Sequence, residues 1–494
     1  VVTEEENLTA SHLYSYYQPS QCGRRIYLQH LSVPEAEPSP YEQVLLELGE
    51  RHEKAYLSTL EKVEDISSVS FANRISLTRS LIESRASIIY QPALRAESIW
   101  GSTRRTISGE PDFIVLKGDS YTIRDCKISR RINDKDHPEI LRQLELYGWL
   151  FQETVGHSPG GLEVVSGTGE IVDIPYYGGG DALEVLHTVD HFQKIPEEPY
   201  NPVGWSNCQP CGYFERCWNM AESSNDLALV PEVDKGLVNE LRSRGVKTIE
   251  ELAGLDEGFL FELKRPWGKR VQKVGKKATT IIRQAKAIVE GRELVIGKLP
   301  LPATDNIVVF DVEGLPPHLD ESDKVYLWGL KVFGTRVSSY MPALAEFGAD
   351  GDRNGWLGFL ENCSKIFSLY GDLPFIHWSA YEGSKVRTYI ERYGDPEGVA
   401  ARVQGNLIDL LKVTKDAIVL PDYSYGLKRV EKLAGYKRSL PEATGDWSMA
   451  KYIEATETQD PVQRQRVMNE ILEYNREDLE ATWAVLQWLK RKLI

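Results

Sequence analysis

Residues 306–314 read NIVVFDVEG. The apolar run has the signature of a buried strand. Strand side chains alternate between the two faces, so Asp311 and Glu313 at its end point the same way. Paired carboxylates at a strand end suit two divalent metal ions about 4 Å apart, which clamp the attacking and leaving oxygens of a phosphodiester. Far downstream, EYNREDLEAT (473–482) lies in a long helix expected over about 461–493. There Tyr474 and Asp478 are i and i+4, hence on one helix face.

Asp-x-Glu followed by Tyr-x3-Asp resembles the DEDD exonucleases of the tyrosine subtype, which have a ribonuclease-H-like α/β fold. The resemblance implies that Asp311, Glu313 and Asp478 hold metal and that Tyr474 positions the attacking water. The family's middle acid is usually an aspartate in an N-x3-D setting. This chain departs from that pattern, with PFIHWSAYEGSKV supplying His377 and Glu382. Glu382 is the expected third ligand, and its longer arm puts activity of this site in doubt. Asp409, in NLIDLL, is the second candidate.

A second constellation lies upstream. GEPDFIVLKGDSYTIRDCKISR (109–130) reads as two strands joined by a KGDS turn. Asp125 and Lys127 are two apart on the second strand and face one way, and Asp112 opens the first. Carboxylates that hold Mg²⁺ or Mn²⁺, beside a lysine that orients a nucleophile or stabilises charge, fit phosphodiester hydrolysis. These residues resemble the PD-(D/E)xK nuclease core in its RecB-like branch. LGERHEKAYL offers His52 where that branch has an upstream metal-binding histidine, and RQLELYGWL offers Gln143 and Tyr147 in the Q-x3-Y spacing of a helix that meets DNA backbone.

Three of the six cysteines fall in NCQPCGYFERCWN (207–219): Cys208, Cys211 and Cys217. A soft tetrahedral site wants four ligands, and the spacing alone leaves zinc and an iron–sulfur cluster both open. RecB-like nucleases of the iron–sulfur kind (AddB and the CRISPR-adaptation exonucleases) carry one cysteine before the core and three after it. That resemblance implies Cys22, in SQCGRRIYLQH, as the fourth ligand of a [4Fe–4S] cluster. Such a clasp would close a loop of about 190 residues and restrain the unfolded chain. Cys126 and Cys363 are left over.

Between the two constellations, ELRSRGVKTIEELAGLD and VGKKATTIIRQA resemble the halves of a helix–hairpin–helix unit, and residues 236–292 are expected to be helical. Residues 263–289 hold nine basic residues and no acidic one: Lys264, Arg265, Lys269, Arg270, Lys273, Lys276, Lys277, Arg283 and Lys286. In a chain of net charge −15 this local reversal points to backbone binding of nucleic acid. The competing reading is a basic helix face packed on acidic neighbours.

The 494 residues predict two to four domains. AESSNDLALVPEVD and IGKLPLPATDN read as linkers. The expected architecture is α/β and multidomain. It comprises a restriction-endonuclease-like RecB-type iron–sulfur nuclease over 1–222, a helix–hairpin–helix-like segment over 223–296, and a ribonuclease-H-like 3′→5′ exonuclease over 297–494. The acidic balance argues against a passive nucleic-acid coat. No apolar run of 18 residues and no signal-type N-terminus is found, and cysteines are few, so a cytoplasmic, membrane-free setting is expected. No P-loop motif is found, so any helicase would be a separate partner. The expected substrate is single-stranded or frayed DNA, in repair, recombination or defence. An RNA 3′→5′ exonuclease with the first domain as a clamp, and a non-catalytic nucleic-acid scaffold, are the alternatives.

Overall fold

The computed structural model describes residues 7–100, 103–268, 270–298, 300–316, 323–346, 348–441 and 443–492. The chain divides into two compact units, Val1–Cys217 and Trp218–Ile494. Residues 223–296 therefore lie in the second unit. Among the described residues, no helix is long and apolar enough to cross a membrane.

Among its described residues the first unit has nine strands: β1 (Asn7–Thr9), β2 (Val63–Asp65), β3 (Ile88–Tyr90), β4 (Leu94–Trp100), β5 (Thr103–Gly109), β6 (Phe113–Lys117), β7 (Ser120–Cys126), β8 (Gly161–Val165) and β9 (Ile171–Ile174). They form a six-stranded sheet ordered β2-β3-β6-β7-β8-β9 and a three-stranded sheet β1-β5-β4. β6 and β7 make the expected hairpin through a two-residue loop, with Lys117 opposite Ser120. Gly118 takes φ +61° there, a conformation that favours glycine. β8 then runs parallel to β7. A parallel neighbour needs a crossover, and the helix Pro138–Val155 supplies it. Proline at its first turn and left-handed Gly156 after its last residue bound that helix. Its Leu144 and Leu150 pack with Ile114, Ile123, Leu162 and Val164 in one core.

Early in the second unit come the helices Lys235–Ser243, Ile249–Ala253 and Glu257–Glu262. Thr248 and Glu251 form the capping box that their spacing predicts. The uniform helicity expected over 236–292 is interrupted by an antiparallel hairpin, β10 (Lys264–Trp267) and β11 (Arg270–Lys273). Pro266 lacks an N–H and Gly268 at φ +55° favours a turn, so neither suits a helix interior. The helix Lys277–Glu290 follows, and Gln284 on it donates to the Leu420 carbonyl at 2.6 Å. β12 (Leu294–Val295) pairs with β18 (Ile418–Val419).

The rest of this unit is built on five strands: β13 (Ile307–Leu315), β14 (Lys324–Phe333), β15 (Met341–Leu344), β16 (Phe375–His377) and β17 (Leu407–Asp409). The sheet order is β15-β14-β13-β16-β17. β13, β14 and β15 are antiparallel neighbours; β16 and β17 run parallel to β13. The alternation along β13 sorts its side chains. Val308, Phe310 and Val312 enter a core with Trp356, Phe359 and Ile366. Ile307 and Val309 enter another with Leu479, Val485 and Leu489 of the 31-residue helix Pro461–Arg491. Asp311 and Glu313 have the same parity as Ile307 and Val309, so they face that helix.

Candidate active sites

The sheet and the last helix bring three acids together. Carboxylate oxygens of Asp311, Glu313 and Asp478 lie within 4.8 Å of one another, the single such group of three or more potential metal ligands among the described residues. Burial, then the charge of Asp478, pushes the Glu313 carboxyl well above its usual range, and Asp311 shifts upward for the same reasons. Asp478 is also raised by burial, against the opposing pull of Arg438. Three like charges this close repel unless a cation lies among them. Hard oxygen donors in such a cluster fit Mg²⁺ or Mn²⁺.

Several neighbours orient these acids. Asn475, wholly buried, donates from Nδ2 to Asp311 Oδ2 at 2.7 Å and accepts from the Tyr340 hydroxyl at 2.8 Å. Asn475 has room because Gly329, directly opposite Asp311 on β14, has no side chain: a Cβ there would lie 1.8 Å from Asn475 Oδ1. Arg438 pairs with Asp478 and forks onto Glu431, with both Glu431 contacts at 2.7 Å. Its loop is tied to the last helix by Glu477, which accepts from the Ser439 and Leu440 backbone amides. Tyr474 is 5% exposed, and its phenol is raised far above the usual value by burial and then by Asp478.

Glu382 stands beside the three acids rather than within their close group, and its charge raises both Asp311 and Glu313. Ser379 Oγ donates to it at 3.1 Å, and His377 Nδ1 lies 3.3 Å away. Ser379 itself takes φ +126°, rare for a residue with a side chain. Asp409 caps the helix Leu410–Ala417 by accepting from the Lys412 amide at 2.9 Å. The expected ligand Glu382 is thus held by a serine and a histidine, and Asp409 has a local structural task.

Asn475 and Arg438 were not singled out from sequence. Asn475 follows the motif tyrosine directly and looks like any helix polar residue; Arg438 lies 40 positions from the acid it pairs with. Replacing Asn475 by alanine is expected to weaken Mn²⁺ binding about 10- to 100-fold, as loss of a ligand-orienting hydrogen bond does. Gly329→Ala should match it by expelling the asparagine. Mn²⁺ titration by calorimetry checks both, and unchanged affinity in both variants would refute the role.

In the first unit the hairpin brings Asp112 and Asp125 together. The Asp112 amide donates to Asp125 Oδ1 at 3.2 Å, and the Cys126 amide donates to Asp112 Oδ2 at 2.7 Å. Lys127 Nζ lies 2.7 Å from Asp125 Oδ2. Burial, then the Asp125 charge, raises the Asp112 carboxyl well above its usual range. Gln143 donates to the Tyr147 hydroxyl at 3.0 Å, and Tyr147 lies in the field of both aspartates.

His52 does not join the two aspartates in a close group. Its Nε2 lies 3.1 Å from the Val165 carbonyl. A carbonyl only accepts, so Nε2 is the donor, which in the neutral ring leaves the lone pair on Nδ1. The adjacent Glu53 is instead linked to the site: its Oε1 accepts from Tyr90 at 2.8 Å and from Gln91 Nε2 at 2.7 Å, and Gln91 reaches Asp112 Oδ1 at 3.4 Å. Sequence reasoning missed Glu53, although it shares the quoted helix.

All four expected cluster cysteines lie in the first unit. Cys22 precedes the helix Gly23–His30, and Cys208 ends the helix Trp205–Cys208. Burial pushes the Cys211 thiol up to about 11, and the Cys22 and Cys217 thiols are among the groups it senses. Four sulfurs do not form a group within 4.8 Å. The cysteine segment is tied to the N-terminal region by Tyr213, which donates to the Val33 carbonyl at 2.7 Å, and by the Ala36 amide on Gly212.

The basic run is partly neutralised. Arg265 is 3% exposed and paired with Asp234 at 2.7 Å, Lys277 pairs with Glu232 at 2.7 Å, and Lys273 pairs with Glu262. All three meet acids outside the run; Arg265 is buried by its pair, whereas Lys273 and Lys277 stay about half-exposed. Lys264, Arg270, Lys276, Arg283 and Lys286 are exposed. Lys269 lies outside the described residues.

Residues 308–490 match the family model RNase_H_2, described as RNase_H superfamily. No curated protein matches the chain. A solved structure titled "Crystal structure of SSO0001" is 16% identical, over a match covering 44% of this chain and 88% of that one, with a TM-score of 0.25. The three clustered acids all lie within the matched span, and residues 308–490 are an RNase H-like domain carrying an acidic triad.

Proposed function

We propose that the chain is a divalent-metal-dependent nuclease with two centres, one in each unit. The observation that carries the reading is the triad Asp311, Glu313 and Asp478, gathered within 4.8 Å on an RNase H-like domain. Bound Mg²⁺ or Mn²⁺ would supply charge neutralisation and an activated water there. The chain's own groups do the rest. Asn475 and Arg438 hold Asp311 and Asp478 in place, Glu382 extends the acidic wall, and Tyr474 orients the attacking water as a 3′→5′ exonuclease requires.

The first centre uses Asp112 and Asp125 as the acidic pair, with His52 Nδ1 free to take a ligand position. Lys127 steadies charge beside them, and Gln143 and Tyr147 form the helix face that meets the backbone. This reading makes the first unit a RecB-like PD-(D/E)xK nuclease. Cys22, Cys208, Cys211 and Cys217 form its metal clasp, with [4Fe–4S] ahead of zinc. The substrate class is nucleic acid, with single-stranded or frayed DNA ahead of RNA.

Digestion of end-labelled single-stranded and duplex DNA and RNA tests the function, with each centre inactivated in turn. No cleavage of any substrate with Mg²⁺ or Mn²⁺ would overturn it. The clasp is tested by colour. Anaerobically purified protein is expected to be brown, with broad absorbance near about 400 nm. Colourless protein with one zinc per chain would replace iron by zinc, and protein with neither metal would remove the clasp.

A further inference from the structure

The hairpin β10–β11 is not explained by either centre. An isolated two-stranded ribbon is marginal in water, and this one is anchored at its base. Arg265 reaches Asp234 at 2.7 Å, and Gly236 leaves room for the Pro266 carbonyl, which a Cβ would meet at 2.1 Å. Beyond that base the hairpin turns its apolar groups outward: Trp267 is 50% exposed and Val271 is 70% exposed. The register sets Trp267 directly opposite Arg270, and Pro266 opposite Val271. Opposed strand residues share a face. Arg265, Trp267 and Arg270 therefore line one side of the ribbon.

On that side the buried Arg265 guanidinium lies 4.9 Å from the Trp267 ring centroid. A cation over an indole face attracts the ring, and Trp267 as a whole stays half-exposed. Arg270 beside it is exposed, as is Lys264 on the opposite face. The Lys273–Glu262 pair is about half-exposed on both sides, and such surface pairs are weak enough to exchange for a phosphate. The hairpin itself has no acidic residue.

We propose that this hairpin is a stacking platform for an unpaired nucleic-acid strand, with the Trp267 indole taking a base and Arg270 a backbone phosphate. An indole held against an inner guanidinium and flanked by an exposed cation complements a base joined to a phosphate. Bases inside a duplex have no free π face, so the platform discriminates by strand state rather than by sequence. None of its residues belongs to either acidic centre.

Fluorescence anisotropy in magnesium-free buffer tests it, using labelled single strands of about 15 nucleotides and a blunt duplex. Trp267→Ala is expected to weaken single-strand binding about tenfold, as loss of one base stack does. Trp267→Phe should restore most of the affinity, and duplex binding should change little. Arg270→Gln should reduce the salt slope by about one. Parallel DNA and RNA strands show which sugar is preferred. Circular dichroism establishes that the variants are folded. Unchanged single-strand affinity in Trp267→Ala, or an equal loss on duplex, overturns the proposal. Because no cleavage is read, loss of binding with Trp267→Ala stands even if the triad proves not to cut. Cleavage by the triad likewise stands if Trp267 proves irrelevant.

Discussion

Replacing Asp311 and Asp478 together by alanine is expected to abolish stepwise trimming of a labelled 3′ end, by at least about a thousandfold. That corresponds to about 4 kcal/mol of lost transition-state stabilisation, the several-kcal/mol scale expected of a bound metal ion. The two residues come from opposite ends of the RNase H-like domain, one from the central strand and one from the last helix, and both contribute oxygen to the group spanning 4.8 Å. Removing them leaves Glu313 as the sole member of that group. The triad's metal response should vanish with the trimming. Mn²⁺ is expected to raise the unfolding temperature of the parent protein, since a ligand that binds only the folded state stabilises it by mass action. In an Asp125→Asn background, which silences the first centre, the double variant should show no such rise. Normal trimming by the double variant would remove this centre from the chemistry.

The second large effect is expected at Asp125. Asp125→Asn should eliminate the other metal-dependent cleavage while the triad-dependent trimming persists. Asp125 is 2% exposed, accepts from the Asp112 amide and faces Lys127 at 2.7 Å. Alanine there would leave the lysine without its counter-charge, at a cost of about 3 kcal/mol, the low end for a broken buried pair. Asparagine keeps the hydrogen-bond acceptor and avoids part of that loss. Lys127→Ala should also be inactive, which separates a role in charge stabilisation from mere support of Asp125. Full cleavage by both variants would refute the first centre.

Legibility from sequence followed the range of the interaction involved. The strand at 307–315, the hairpin at 113–126, the capped turn at Thr248 and the last helix all rest on local period, turn chemistry or capping. The hairpin at 264–273 was hidden by the helical pattern around it, although Pro266 and Gly268 mark its position. Three members of the basic run are paired with Asp234, Glu232 and Glu262, acids outside the run itself. Charge counting along a chain sees neighbours in sequence, whereas neutralisation depends on neighbours in space.

The sequence by itself determined which residues share a face: Asp311 with Glu313 by the two-residue period of a strand, and Tyr474 with Asp478 by one helical turn. Tertiary structure decided which faces meet. Packing of Ile307 and Val309 against Leu479 and Val485 turns the acidic side of the strand toward Asp478. It also seats Asn475 over the vacancy left by Gly329, directs Arg438 onto Asp478, and leaves Glu382 to Ser379 and His377. Periodicity is a property of one element and is written in its own residues. The arrangement of charges in a buried site is a sum over several elements, fixed only when their apolar faces close on one another.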